Sequence, residues 1–238
     1  MYFIFDVDGT LTPSRGKIDS DFEKYFKKFI SKHPVALVTG SDLGKTVEQL
    51  GQDILKAVDY SFNCSGNAIY QGTTLIKNSV WTAPEDLRGY LFEVLSNSKY
   101  RFRYGNHLEQ RIGMLNFSVV GRDAVGVQRK HYYEWDLKTK ERQKLCEYIN
   151  NYWKDIHAVV GGETGIDIFE RGRDKSQILE FIHTQEVHFF GDRMDPVGND
   201  WPLGKRILDE KRGKIYHVKD WKDTWSRLKF FEEMGYIN

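Results

Sequence analysis

From its first residues the chain alternates short apolar runs with amphipathic stretches. YFIF is followed by the helix-like DSDFEKYFKKFISK, then by PVALV and the helix-like DLGKTVEQLG. Buried strand, amphipathic helix, buried strand is the rhythm of a parallel α/β unit. After VDYSF, the segment NAIYQGTTLIK predicts a hairpin, because two alternating runs flank a Gln71-Gly72 turn.

From about Ala83 to Gly172 this rhythm breaks. The pattern there predicts a helix in PEDLRGYLFEVLSN, strands near RFRY and MLNFSVV, a helix in TKERQKLCEYINNYW, and strands at IHAVV and IDIFE. That is an α+β insertion built on one antiparallel sheet. The parallel pattern then resumes with a helix from Asp174, the strand VHFFG, a helix after Pro202, the strand KIYHV and a last helix from Asp220. In that last helix Trp221, Trp225, Leu228 and Phe231 recur at helical spacing and predict core packing. The expected organisation is an α/β core of residues 1–81 and 173–238 with a parallel sheet, interrupted by an α+β domain of residues 82–172 with an antiparallel sheet.

Composition narrows the function classes. The 35 basic and 34 acidic residues nearly cancel, which excludes the electrostatic footprint of a nucleic-acid binder and makes any anion site local. Cys64 and Cys146 form neither a disulfide framework nor a zinc pattern, so a reducing, cytoplasmic setting is expected. The apolar start MYFIF is cut off by Asp6 and Asp8, too soon for a signal-peptide core or a membrane span, so neither export nor a membrane is expected.

The candidate chemistry lies at strand ends. Asp6 and Asp8 directly follow the first apolar strand, where parallel α/β sheets open onto their ligand crevice. Two carboxylates there repel unless a hard cation such as Mg2+ sits between them and a phosphate. Asp6 is then placed to attack phosphorus, forming an aspartyl phosphate, while Asp8 shuttles the proton. Thr10 offers a hydroxyl to a phosphate oxygen, and Gly9 allows a tight turn. Asp192 ends the strand VHFFG and is the expected third metal ligand, with Asn199 and Asp200 as outer support or as helix caps. Thr39, ending the second strand, is expected to bind phosphate oxygen, with Ser41 as the alternative and Asp42 capping the next helix. Lys175 starts the helix that re-enters the core, where its ammonium neutralises the aspartate and the transferring group. In the insertion, the guanidinium forks of Arg111, Arg122 and Arg129 suit a phosphate that is held but not broken, with Arg101 and Arg103 as weaker candidates.

With these residues in place, the chain resembles the haloacid dehalogenase-like superfamily, whose four loops are matched by Asp6/Asp8, Thr39, Lys175 and Asp192. Over nearly its whole length it is similar to the eukaryotic-type phosphomannomutases. FDVDGTLT, GSD, Arg111 with Gly113-Met114-Leu115-Asn116, Gly121-Arg122, Gly161-Gly162, Asp167 with Phe169, Asp174-Lys175 and FFGD leading to Gly198-Asn199-Asp200 carry the similarity. The resemblance implies a Rossmann-like core with the insertion as a cap, Mg2+ held by Asp6, Asp8, Asp192 and Asp200, and a hexose 1,6-bisphosphate activator. It implies that Arg111, Arg122 and Arg129 bind phosphate, that Asn116, Gly165 and Asp167 line the sugar, and that the cap forms a homodimer. The implied reaction is interconversion of mannose 6-phosphate and mannose 1-phosphate, the alternative being a Mg2+-dependent sugar-phosphate phosphatase. The chain departs from the family pattern at Ile112, Gly165, Arg173, Met194 and Asp195, positions that touch sugar recognition more than phosphoryl transfer.

Overall fold

The computed structural model describes residues 1–184 and 186–237. Among them the backbone forms a seven-stranded sheet and a four-stranded sheet. The larger takes strands β1 (Tyr2–Phe5), β2 (Val35–Val38), β3 (Tyr60–Asn63), β4 (Ala68–Gln71), β5 (Thr74–Asn78), β10 (Val187–Gly191) and β11 (Gly213–His217), in the order β11-β10-β1-β2-β3-β4-β5. β1 lies centrally between β10 and β2, parallel to both, which is why its residues Phe3, Ile4 and Phe5 are all apolar and fully buried. β4 and β5 form the expected antiparallel hairpin, turning where Gly72 adopts a positive φ of 60°.

Helix α1 (Ser20–Ile30) is capped by Asp19, which accepts from the backbone amides of Asp21 and Phe22. It buries Phe22, Phe26, Phe29 and Ile30; the rings of Phe29 and Phe3 meet edge to face, centroids 4.9 Å apart. The same side of the sheet receives α2 (Leu43–Ala57) and α7 (Trp221–Glu233), and Trp221, Trp225, Leu228 and Phe231 of α7 pack there as their spacing predicts. α6 (Trp201–Asp209) covers the opposite side with Leu203 and Ile207.

The smaller sheet is antiparallel, in the order β6-β7-β9-β8, from β6 (Leu108–Arg111), β7 (Met114–Phe117), β8 (Ile156–Gly161) and β9 (Gly165–Glu170). Period-two alternation divides its side chains. Leu115, Phe117, Ile166 and Ile168 point into a hydrophobic cluster under α3 (Glu85–Asn97), α4 (Gly126–Thr139) and α5 (Glu141–Tyr152). Met114 and Phe169 face the other way and pack with Cys64, in the turn just after β3, which sets Asn116 and Asp167 on that same face. Among the described residues no helix is long and apolar enough to cross a membrane.

Three local expectations are corrected. RFRY is not a strand: residues 101–104 run without a ladder partner, and Arg103 instead donates to the carbonyl oxygens of Tyr100, Phe102 and Leu95. The strand in that region is β6, and α4 precedes the anticipated helix. The segment after Asp174 is a short 3-10 helix, Lys175–Glu180, capped by the Asp174 carboxylate on the amide of Ser176.

Candidate active site

The carboxyl ends of β1, β2 and β10 face β7, β9 and the β8–β9 turn across a cavity of about 380 Å³. Asp6, Asp8, Thr39 and Asp192 line one side; Arg111, Arg122, Arg129 and Asp167 line the other.

On the first side, Asp6 follows the last residue of β1, its amide bonded to the carbonyl of Phe190 in the neighbouring strand. Lys175 lies beneath it, 1% exposed, with Nζ 2.6 Å from Asp6 Oδ1 and 2.7 Å from Asp200 Oδ1. Thr10 Oγ1 donates to the other oxygen of Asp6 at 3.2 Å. One carboxylate oxygen each of Asp6, Asp192 and Asp200 lie within 4.8 Å of one another. Gly9, at a φ of +81°, permits this approach, because a Cβ there would collide with the Asp192 carboxylate.

Burial, followed by the charges of Asp200 and Asp192, pushes Asp6 well above the usual carboxylate range despite Lys175. Burial and Asp200 raise Asp192 to about 7. Lys175 responds in the opposite sense: burial opposes its charge, but Asp200 and Asp6 outweigh burial and hold its pKa above the ordinary value. Three crowded carboxylates against one ammonium leave an excess of negative charge that a hard, oxygen-seeking cation relieves, so the donor set fits Mg2+.

Asp8 stands apart from that trio. Its Oδ1 accepts from the buried Gln49 Nε2 at 3.0 Å and from the backbone amide of Arg15, and its Oδ2 from Ser41 Oγ at 3.3 Å. Among the described residues the carboxylates close enough together to share a cation are those of Asp6, Asp192 and Asp200, and the Asp8 side chain is not in that group. Thr39 is buried at the end of β2, its hydroxyl accepting from the amide of Ser41 at 3.0 Å, and Asp42 caps α2 by accepting from Lys45 N. Asn199 lines the cavity. Asp200 precedes α6 without capping it; its second oxygen accepts from Arg193 N at 3.0 Å.

On the far side, Arg111 ends β6, donating from Nη1 to the carbonyl of Gly40 at 2.7 Å and from Nη2 to Glu109 Oε2 at 2.6 Å. Arg122 Nε lies 2.8 Å from the same Glu109 oxygen. Arg129, on α4, donates to Glu163 at 3.0 Å and to Thr164 Oγ1 at 3.2 Å. Asn116 and Asp167 are opposite each other in the β7–β9 register, and Asn116 Nδ2 donates to Asp167 Oδ1 at 2.7 Å. Gly165 leaves room for this pair: a Cβ there would stand 2.9 Å from Asn116 Nδ2. Arg101 and Arg103 lie outside the cavity.

Sequence reasoning passed over Arg15, which lines the cavity and donates from Nη1 to the carbonyl of Arg122 at 3.1 Å, joining the two sheets. Its signal was a basic residue a few positions past the Asp6-Asp8 loop in a segment without periodicity. Arg193 makes a second junction, donating to the carbonyl of Gly162 at 3.2 Å, beside a backbone bond from Val160 N to Val197 O.

Residues 22–233 match the family of eukaryotic phosphomannomutases. The chain belongs to that family. It is thereby an enzyme of the isomerase type, and Thr39, the cavity arginines other than Arg15, Lys175, Asp192 and Asp200 all fall inside the matched span. The phosphomannomutase of Saccharomyces cerevisiae is 35% identical over 219 residues, 87% of this chain and 85% of that protein. Phosphomannomutase 1 of Homo sapiens is 32% identical over an alignment that covers 98% of this chain, so it reaches the Asp6 end too. A haloacid dehalogenase-like hydrolase from Bacteroides thetaiotaomicron superposes with a TM-score of 0.56 over 97% of this chain and 100% of that one. At 14% identity this is a likeness of fold alone, and the fold is the haloacid dehalogenase-like one.

Proposed function

We propose that the chain interconverts mannose 6-phosphate and mannose 1-phosphate through an aspartyl phosphate on Asp6 and a hexose bisphosphate intermediate. The observation that carries this reading is that one cavity holds a carboxylate–lysine group on one side and converging guanidiniums on the other. A hydrolase needs only the first; a mutase must also hold the phosphate that is not reacting.

In this reading a hexose bisphosphate first phosphorylates Asp6. The carboxylate attacks phosphorus, and Lys175 and Thr10 fix its orientation by the hydrogen bonds they make to its two oxygens. Mg2+, held by Asp6, Asp192 and Asp200, would neutralise charge on the transferring group. Asp8, held by Gln49 and Ser41, donates a proton to the leaving sugar oxygen and withdraws one from the incoming hydroxyl. Arg15, Arg111, Arg122 and Arg129 grip the distal phosphate, while Asp167, braced by Asn116, reads sugar hydroxyls. Mannose 1-phosphate then takes the phosphoryl group from Asp6 on its free hydroxyl, and the bisphosphate so formed turns over and gives its other phosphoryl group to Asp6, leaving mannose 6-phosphate.

Residues 1–81 and 173–238 act as the core and residues 82–172 as the cap, closing through the Arg15–Arg122, Arg111–Gly40 and Arg193–Gly162 bonds and opening about Trp81 and Arg173. Closure keeps water from the aspartyl phosphate. The test is priming. With mannose 1-phosphate and Mg2+, product forms only when a trace of hexose 1,6-bisphosphate is supplied; steady turnover in its absence contradicts the proposal.

A further inference from the structure

Glu109 sits on β6 two residues before Arg111, so strand periodicity puts both side chains on one face. A single oxygen, Oε2, lies 2.6 Å from Arg111 Nη2 and 2.8 Å from Arg122 Nε. The contact with Arg122 is an ion pair without hydrogen-bond alignment: Arg122 Nε, like Arg111 Nε, is buried with no hydrogen-bond partner. Arg15 approaches from the other sheet through its bond to the Arg122 carbonyl. Two guanidiniums thus meet on one carboxylate, with Arg15 lining the same cavity, positive charge to spare and donors not yet used.

Burial and then the neighbouring Arg111 push Arg122 down to about 10, and Glu109 works against both. Burial opposes the charge of Glu109, yet Arg111 and Arg122 hold it below the usual carboxylate range. Removing this carboxylate would leave two buried cations side by side, free to swing apart until an anion arrived.

We infer that Glu109 is a positioning residue for the distal phosphate, an internal counter-anion that presets Arg111 and Arg122 and competes with the phosphate for them. The inference deepens the proposed reading of the same cavity and rests on it. A sugar bisphosphate that must turn over between two transfers has to be gripped and then released. Guanidiniums facing a phosphate alone hold it firmly. A carboxylate that recaptures them as the phosphate leaves weakens the grip without dispersing the donors.

Glu109→Gln keeps the length and an acceptor oxygen but removes the charge. The probe is inorganic phosphate, titrated calorimetrically without Mg2+, so that the unneutralised carboxylates around Asp6 repel it from the other side of the cavity. Glu109→Gln is expected to bind phosphate roughly tenfold tighter than the native chain, as loss of a nearby like charge requires. In turnover, KM for the sugar phosphate and kcat fall together, because release becomes slower. Glu109→Asp keeps the charge but retracts it, and raises KM without tightening phosphate. Phosphate binding that is unchanged or weaker in Glu109→Gln overturns the assignment. If the melting transition of Glu109→Gln is lost, Glu109→Asp decides: a raised KM supports the assignment and an unchanged KM overturns it. If the native chain turns over no sugar phosphate while Glu109→Gln still tightens phosphate, the proposed reaction falls and the role of Glu109 stands.

Discussion

Lys175 Nζ lies 2.6 Å from Asp6 Oδ1, although the two residues are 169 positions apart and separated in sequence by the whole four-stranded sheet. Both are buried, and the lysine has Asp200 as its other partner. Replacing Lys175 by Met leaves two carboxylates facing each other with no cation between them. The expected cost is about 3–5 kcal/mol in stability, together with loss of turnover. Urea unfolding of the metal-free protein measures it, and an unchanged midpoint would show that Lys175 is not the counter-ion of the pair.

Asp6→Asn keeps the shape of the site and removes the proposed nucleophile. Turnover is expected to fall on the order of 10⁴-fold or more, while sugar-phosphate binding persists. Incubation with a hexose bisphosphate and Mg2+, acid quenching and peptide mapping should find one phosphoryl group on the native peptide that contains Asp6 and none on the variant. A phosphoryl group on Asp8 instead would reassign the chemistry.

Asp192 belongs to the three-carboxylate group but makes no ion pair with Lys175, so its exchange for Asn should act on the metal. The Mg2+ concentration for half-maximal activity is expected to rise roughly 10–100-fold, a loss that excess Mg2+ partly restores. Identical Mg2+ titrations of variant and native chain would remove Asp192 from the metal site.

Gly40 lies in the loop after β2 against Asp167, and a Cβ there would stand 2.9 Å from Asp167 Oδ2. Gly40→Ala should displace the carboxylate proposed to read the sugar. About 1 kcal/mol of binding is expected to be lost, on the order of fivefold in KM, with a smaller change in kcat. A change confined to kcat would place Asp167 in the chemical step.

His33, His157 and His188 are all held below the ordinary histidine pKa, by burial first. The unfolded chain therefore takes up protons near the ordinary value of 6.5 that the folded chain refuses, and stability falls as pH drops through it. Buried acids such as Glu141, raised by burial, push the other way, so the comparison is with a single variant. His157, whose Nδ1 has no hydrogen-bond partner, offers a clean case. The stability difference between His157→Gln and the native chain should shift in favour of the variant between about pH 7.5 and about pH 5.5. A pH-independent difference would mean that His157 titrates alike in both states.

The placement of the core-side residues was legible because it is tied to sequence features that survive folding. Asp6, Thr39 and Asp192 each directly follow an apolar run, and parallel strands bring their carboxyl ends together without further information. The far side of the cavity was less legible. Arg111 and Arg122 could be singled out, but that one oxygen of Glu109 serves both follows from the β6 hairpin and the loop after β7 meeting in space. Arg15 lies in a turn with a positive φ of 56°, where no periodic pattern marks it. α4 escaped because it is amphipathic in an unusual way: of its fourteen residues only Tyr132 and Asp136 are buried, and Asp136 is there to pair with Arg142 at 2.8 Å. RFRY alternates like a strand, but sequence alternation supplies no partner, and Arg103 satisfies nearby carbonyls instead.

The phosphoryl group proposed to form on Asp6 should return to sugar rather than pass to water. Phosphorus NMR of the protein with Mg2+, mannose 1-phosphate and a trace of glucose 1,6-bisphosphate follows both fates at once. Mannose 6-phosphate is expected to accumulate with little inorganic phosphate. Inorganic phosphate as the main product would contradict it and make the chain a sugar-phosphate phosphatase.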